Sequence, residues 1–170
     1  MNNNLLILGA GQYGMVAKEI AEAMGCFEKI DFLDDRNEIA VGKLDSYGKY
    51  SGEYDCAAVA VGDAEVRFKY LEKLEAAGYD IATLVSPRAY VAQSATLMKG
   101  TIVEPMAVVN AFSNVSAGTI ICAGAVVNHN AFVGTCCLLQ CGSVVAAGAH
   151  VTDKTVLNYN EVFTKADIPV

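Results

Sequence analysis

A chain of 170 residues, 54% hydrophobic and 18% charged, is long enough for one ordinary domain or two small ones and lies far from a disordered composition. Its formal charge of −7 argues against a nucleic-acid partner, whose phosphates would be repelled rather than neutralised. No run approaches the ~18 apolar residues of a membrane span. The start, "MNNNLLILGAG", lacks the basic and long apolar regions of a signal peptide, so no membrane and a cytoplasmic location are expected.

In chain order, "LLILG" reads as a short buried strand, and "YGMVAKEIAEAMG" as an amphipathic helix closing on Gly25. "KIDFL" and "CAAVAVG" are further strands, "AEVRFKYLEKLEAAG" is a second helix, and "IATLV" leads out. Alternating strands and helices predict a small parallel sheet, an α/β domain over residues 1–84.

From Val85 the grammar changes to blocks of six: VSPRAY, VAQSAT, LMKGTI, VEPMAV, VNAFSN, VSAGTI, ICAGAV, VNHNAF, VGTCCL, LQCGSV, VAAGAH, VTDKTV, LNYNEV. Every block begins with Val, Leu or Ile, and the fifth place is Ala, Thr, Ser or Cys in twelve of thirteen, breaking only at Glu161. A period of six fits neither an α-helix nor a hairpin meander. It fits a parallel β-helix with three blocks per triangular coil, the first-place side chain inside and a small residue where the walls bend. The fold class is therefore α/β plus all-β, the second domain spanning residues 85–170. Both ends of so short a solenoid would lie open, which favours capping or oligomerisation.

"GAGQYG" (Gly9, Gly11, Gln12, Tyr13, Gly14) follows a strand and opens a helix, the context that GxGxxG requires. The loop and helix N-terminus suit a phosphate; a glycine turn serving packing alone is the other reading. Asp34 and Asp35 end the second strand, where an acid meets a ribose in dinucleotide folds. Only one mononucleotide half is present, so a single nucleotide or nucleotide-sugar fits better than NAD. The second strand-to-helix turn, "VGDAEVR", offers Gly62, Asp63 and Glu65 for the far end of such a ligand. For Asp34, Asp35 and Arg67 a solvated surface role is the alternative.

Six cysteines form no CxxC pair and only two histidines accompany them, so no metal is expected, and the thiols are expected reduced. One of those histidines, His129, occupies the third place of its hexad in "VVNHNAFVG", outside the first- and fifth-place core pattern. Read alone, it is either a solvated residue or a base held on a rigid wall.

"GAGQYGMVAKEI", "FLDD", "VGDAEVR", "TLVSPRAYVAQSAT" and the uninterrupted hexads, in that order, resemble the sugar O-/N-acetyltransferase family of the bacillosamine-pathway N-acetyltransferase and the sialic-acid O-acetyltransferases. The resemblance covers almost the whole chain. It implies a Rossmann-like domain binding a nucleotide-sugar, UDP-linked, followed by a left-handed β-helix. It also implies homotrimers, with acetyl-CoA as co-substrate between neighbouring prisms. By the same resemblance His129 is the general base and the backbone N–H of Ala147, one coil later, faces the acetyl carbonyl. The chain departs from the family at Asn130, where an acid usually orients the histidine, and at Leu138, where a polar or histidine side chain helps hold CoA. It also ends in "FTKADIPV" without a "GxPAK"-like close. These departures leave a second hypothesis, a nucleotide-sugar-binding or scaffold relative without acyl transfer.

Overall fold

The computed structural model describes residues 3–164. The outermost ends of the two expected domains, and most of "FTKADIPV", lie outside the described residues. The chain divides into two compact units at Leu84/Val85.

The first unit is a four-stranded, all-parallel sheet in the order β2-β1-β3-β4. Its strands are β1 (Asn4–Leu8), β2 (Lys29–Leu33), β3 (Cys56–Val59) and β4 (Asp80–Ile81), joined in part by α1 (Gln12–Met24) and α2 (Ala64–Ala76). Leu5, Leu6, Ile7 and Leu8 are fully buried, the continuous apolar run that a central parallel strand covered on both faces requires. Helix α1 turns Ala17, Ile20 and Ala21 to the core and ends on Gly25 in the left-handed conformation. Helix α2 buries Tyr70, Leu71 and Leu74, together with Arg67, which is 0% exposed.

The second unit is a left-handed parallel β-helix, in agreement with the repeat. Its two-residue strands stack 18 residues apart on three walls, as in Val108↔Val126↔Val144, Ile102↔Ile120↔Leu138 and Asn114↔Phe132↔His150. First-place residues fill the axis: Val103, Val109, Val115, Ile121, Val127, Val133, Leu139, Val145 and Val151 are all 0% exposed. Fifth places Ala107, Ala125, Ala131, Cys137 and Ala149 line the same core at the bends. Six non-glycine residues with positive φ, among them Met106, Phe112 and Asn130, all occupy fourth places. From Gly100 to Asn160 every fourth place is left-handed, a rule that the glycines at 100, 118, 124, 142 and 148 already hint at in the sequence.

No helix among the described residues is long and apolar enough to cross a membrane.

Candidate functional site

Each unit carries residues that the sequence offers as a candidate site. In the first, the glycine loop sits where β1 passes into α1. Gly9 has φ +105°, and a Cβ there would stand 2.8 Å from the Ala60 carbonyl oxygen. A Cβ on Gly14 would stand 2.1 Å from the Gly9 carbonyl oxygen, so helix and loop touch backbone to backbone. Gly11, by contrast, has nothing within 4 Å of a built Cβ. Two glycines therefore serve packing, and the middle one faces open space.

That space is a cleft of about 690 Å³ lined by Ala10, Gly11, Asp34, Arg36, Asn37, Glu38 and Ile39. Helix α1 begins on it with Gly11 as N-cap, no side chain capping it and no acid in its first turn. Helix α2 begins differently: Asp63 accepts the Val66 N–H at 3.0 Å, and Glu65 stands in the first turn. Of the two strand-to-helix turns, only the first leaves its partial positive charge for an outside anion. Gly62, Asp63 and Glu65, offered above for the far end of a ligand, do not line the cleft. Gly62 instead accepts from the buried Arg67, whose guanidinium donates to the Val61 and Gly62 carbonyls at 2.7 and 3.0 Å. The surface alternative for Arg67 is thereby corrected: the side chain is buried because its fork closes this turn.

Asp34 lines the cleft, but its oxygens are engaged. The N–H groups of Ala10, Arg36 and Asn37 donate to it at 2.8, 2.8 and 3.0 Å. Burial works against its charge, yet these three donors and the Arg36 charge hold its carboxyl below the usual carboxylate range. The side chain of Asn37 donates to the Ala10 carbonyl and completes the tie between the two loops. Asp35 is exposed, accepts the Leu44 N–H at 3.2 Å and does not line the cleft. Gln12 is exposed at the start of α1 and Tyr13 half-buried beside it. Sequence reading missed Arg36, Asn37, Glu38 and Ile39; the short polar "DDRNE" run after a strand was the available signal of a turn.

Asp34→Ala should destabilise this unit by about 1–3 kcal/mol, because three backbone donors lose a charged acceptor. A carboxyl depressed by folding adds stability above its unfolded value of about 3.9 and loses it as the pH falls through the folded value. Thermal melts should therefore show the native protein losing stability below about pH 4 more steeply than the variant. Parallel slopes would show that the loop does not depend on this charge.

In the second unit, His129 lies in the turn after the Val126–Val127 strand and is exposed. It borders a cavity of about 460 Å³ lined by Asn110, Ala111, Phe112, His129 and Asn130. These residues form two stacked copies of one turn, 18 residues apart, a register visible in the sequence though Asn110 and Phe112 were not singled out there. Asn128 anchors the turn: its Oδ1 accepts the His129 N–H at 2.8 Å and the Asn110 Nδ2–H at 3.3 Å. Asn130, at φ +57°, places its Nδ2 3.0 Å from His129 Nδ1. One coil on, Gly148 N–H donates to the His129 carbonyl at 3.0 Å, while Ala147 N–H donates to no described residue. Leu138 lies on another wall and does not line this cavity. His150 packs edge-on against Phe132 at 4.4 Å between ring centres, a structural contact.

The chemistry of such a site is that of a solvent-facing imidazole on a rigid wall, next to an amide partner. No match to the chain is found among curated proteins. The PglD N-terminal domain family matches residues 4–74. The acetyltransferase domain of PglB from Neisseria gonorrhoeae FA1090, in complex with acetyl coenzyme A, is 26% identical with a TM-score of 0.72, over 95% of this chain and 94% of that one. PerB from Caulobacter crescentus, in complex with CoA and GDP-perosamine, shares the fold at 20% identity and a TM-score of 0.66, over 95% and 91% of the two chains. WeeI from Acinetobacter baumannii AYE shares it at 15% identity and 0.53, over 90% and 93%. With a PglD-type domain over residues 4–74, a hexapeptide prism after it, and almost the full length shared with the PglB acetyltransferase domain, the chain is similar to the sugar acetyltransferases and is an acyltransferase.

Proposed function

We propose that the protein transfers the acetyl group of acetyl-CoA to a nucleotide-activated amino sugar, UDP-linked, with His129 as general base. Residues 1–84 are the nucleotide-sugar-binding domain and residues 85–170 the acyltransferase domain. The observation that carries this reading is the exposed His129 bordering an open cavity, in a chain similar over its length to an acetyltransferase domain bound to acetyl coenzyme A.

In the first unit, the uncapped start of α1 and the open space at Gly11 suit a diphosphate, and the cleft is of nucleotide size. In the second, His129 accepts the proton of the sugar nitrogen as that nitrogen attacks the thioester carbonyl. Ala147 N–H donates to the oxyanion so formed. The imidazolium then returns its proton to the departing sulfur, giving the N-acetyl sugar and CoA.

Asn130 sets a condition on this cycle. When its Nδ2 donates to Nδ1, the ring proton sits on Nε2, and the outer nitrogen is no base. Turning the amide to present Oδ1 holds the proton on Nδ1 and frees Nε2. The amide presenting its NH₂ is the specific observation that favours the second reading, a binding relative without transfer. Asn130→Asp removes the wrong donor and adds a charge that favours the imidazolium. It should raise kcat about tenfold, one tautomer's worth of about 1.4 kcal/mol; an unchanged kcat would show that Asn130 already presents its oxygen.

The test is thiol release from acetyl-CoA across a panel of UDP- and GDP-linked amino sugars, with calorimetry on the same samples. Sugar binding without acetyl-CoA binding or turnover would establish the second reading. The protein is further proposed to be a cytoplasmic homotrimer. Phe112, Tyr159 and Val162 are 59–66% exposed and supply apolar surface for the contacts between copies. Sedimentation showing a monomer at micromolar concentration would remove the trimer.

A further inference from the structure

A second group of reactive side chains occupies a different corner of the prism, after the wall that carries Ile102–Val103 and Ile120–Ile121. Glu104 and Cys122 follow these strands 18 residues apart, and Cys141 joins them from the next coil. One carboxylate oxygen and the two sulfurs all lie within 4.8 Å of one another. Among the described residues, no other trio of His, Cys, Asp or Glu gathers its ligand atoms so closely.

Three features set this cluster apart from chance thiol packing. Glu104 is only 9% exposed, yet no Lys, Arg or His forms an ion pair with it among the described residues. A buried carboxylate without a cationic partner is costly, and a positive ion held at the cluster would offset that cost. The Ala123 N–H donates to Glu104 Oε2 at 3.0 Å, which fixes the carboxylate in the way outer-shell donors orient metal ligands. Gln140 follows Cys122 by 18 residues and stands half-buried at the same register one coil on, with an amide oxygen available for a fourth position.

We propose that Glu104, Cys122 and Cys141 form a binding site for a thiophilic divalent cation, zinc, independent of the His129 cavity. Two thiolates and a carboxylate match the borderline-soft character of zinc, and a three-residue set leaves the fourth position to water or Gln140. Tetrahedral zinc with Zn–S near 2.3 Å holds two sulfurs about 3.8 Å apart, so the two sulfurs close by about 1 Å at most on binding. Such a shift lies within side-chain rotation on a rigid wall. Burial, then the Glu104 charge, push the Cys122 thiol above its ordinary value, so each thiol gives up a proton to the solvent as the cation enters.

Zinc and cobalt(II) titrations of the reduced full-length protein test this, with Cys26→Ser as background to remove the exposed thiol. The expected result is one equivalent bound per chain, a thiolate-to-cobalt charge-transfer band, and a rise in the melting temperature. Cys122→Ser, Cys141→Ser and Glu104→Gln should each weaken binding at least tenfold, and the double cysteine variant should lose the band. Serine is near-isosteric, and far-UV dichroism verifies that each variant is folded. Absence of a stoichiometric site, an undiminished affinity in all three variants, or a Cys122–Cys141 disulfide forming in place of metal uptake would each overturn the proposal.

Discussion

Replacing His129 by alanine is expected to lower acceptor-dependent thiol release by roughly 10²–10⁴, the range for loss of a positioned general base. The residue is exposed in a turn whose backbone is held by Asn128, by the coil-to-coil bond from Gly148, and by the buried Val127 before it. None of these involves the imidazole, so the melting temperature should move little. The effect belongs in kcat rather than in the KM for the sugar-nucleotide, whose diphosphate is assigned to the other unit. A variant with unimpaired kcat would exclude His129 as the base and direct attention to the rest of the cavity. A fall in turnover with an equal fall in melting temperature would indicate damage to the turn instead.

Gly14→Ala is expected to cost the first unit about 3 kcal/mol or more, the upper range for forced overpacking. The new carbon would stand 2.1 Å from a backbone oxygen, and no side chain is there to rotate away; only a shift of α1 against the loop relieves it. For a unit of this size each kcal/mol lowers the melting temperature by about 4–8 °C, so a loss of 12 °C or more is expected in a thermal scan. Gly11→Ala is the contrasting measurement. Its φ is −74° and its surroundings are open, so stability should change by less than about 0.5–1 kcal/mol. A methyl there nonetheless stands between a diphosphate and the start of α1, and the KM for the nucleotide-sugar should rise. If Gly14→Ala melts like the native protein, the close approach of α1 to the loop is not what the third glycine provides. If Gly11→Ala leaves KM unchanged, the phosphate is not held at this helix start.

These two experiments separate roles that one motif merges. "GAGQYG" shows that a chain must turn tightly between strand and helix, but its letters do not say which glycine faces a ligand. That depends on which neighbouring backbone comes close: Ala60 against Gly9, Gly9 against Gly14, and nothing against Gly11. Asp34 shows the same limit. Its place at the end of β2 was legible, whereas its engagement by three N–H donors from two loops was not, because those loops meet only through the sheet. Asp63 could have been read as a cap from its position before a helix; its carboxylate closes the N-terminus that a ligand would otherwise use.

What the sequence determined by itself was everything set by short-range periodicity. Alternating apolar strands and helices dictated the parallel sheet, and the six-residue repeat dictated the prism, since a small fifth place and an aliphatic first place are demanded by local bending and burial. The same repeat put His129 outside the core and aligned it with Ala147 one coil away. Only the tertiary structure decided which groups separated by a full coil or more come within bonding distance. Glu104, Cys122 and Cys141 carry no local motif and follow no single register, because Cys141 is 19 rather than 18 residues beyond Cys122. Their meeting results from side chains on adjacent coils, stacked at the ~4.8 Å spacing of parallel strands, leaning into one corner. Periodicity specifies where a backbone goes; which reactive atoms then face one another depends on rotamers and neighbours that only the folded chain supplies.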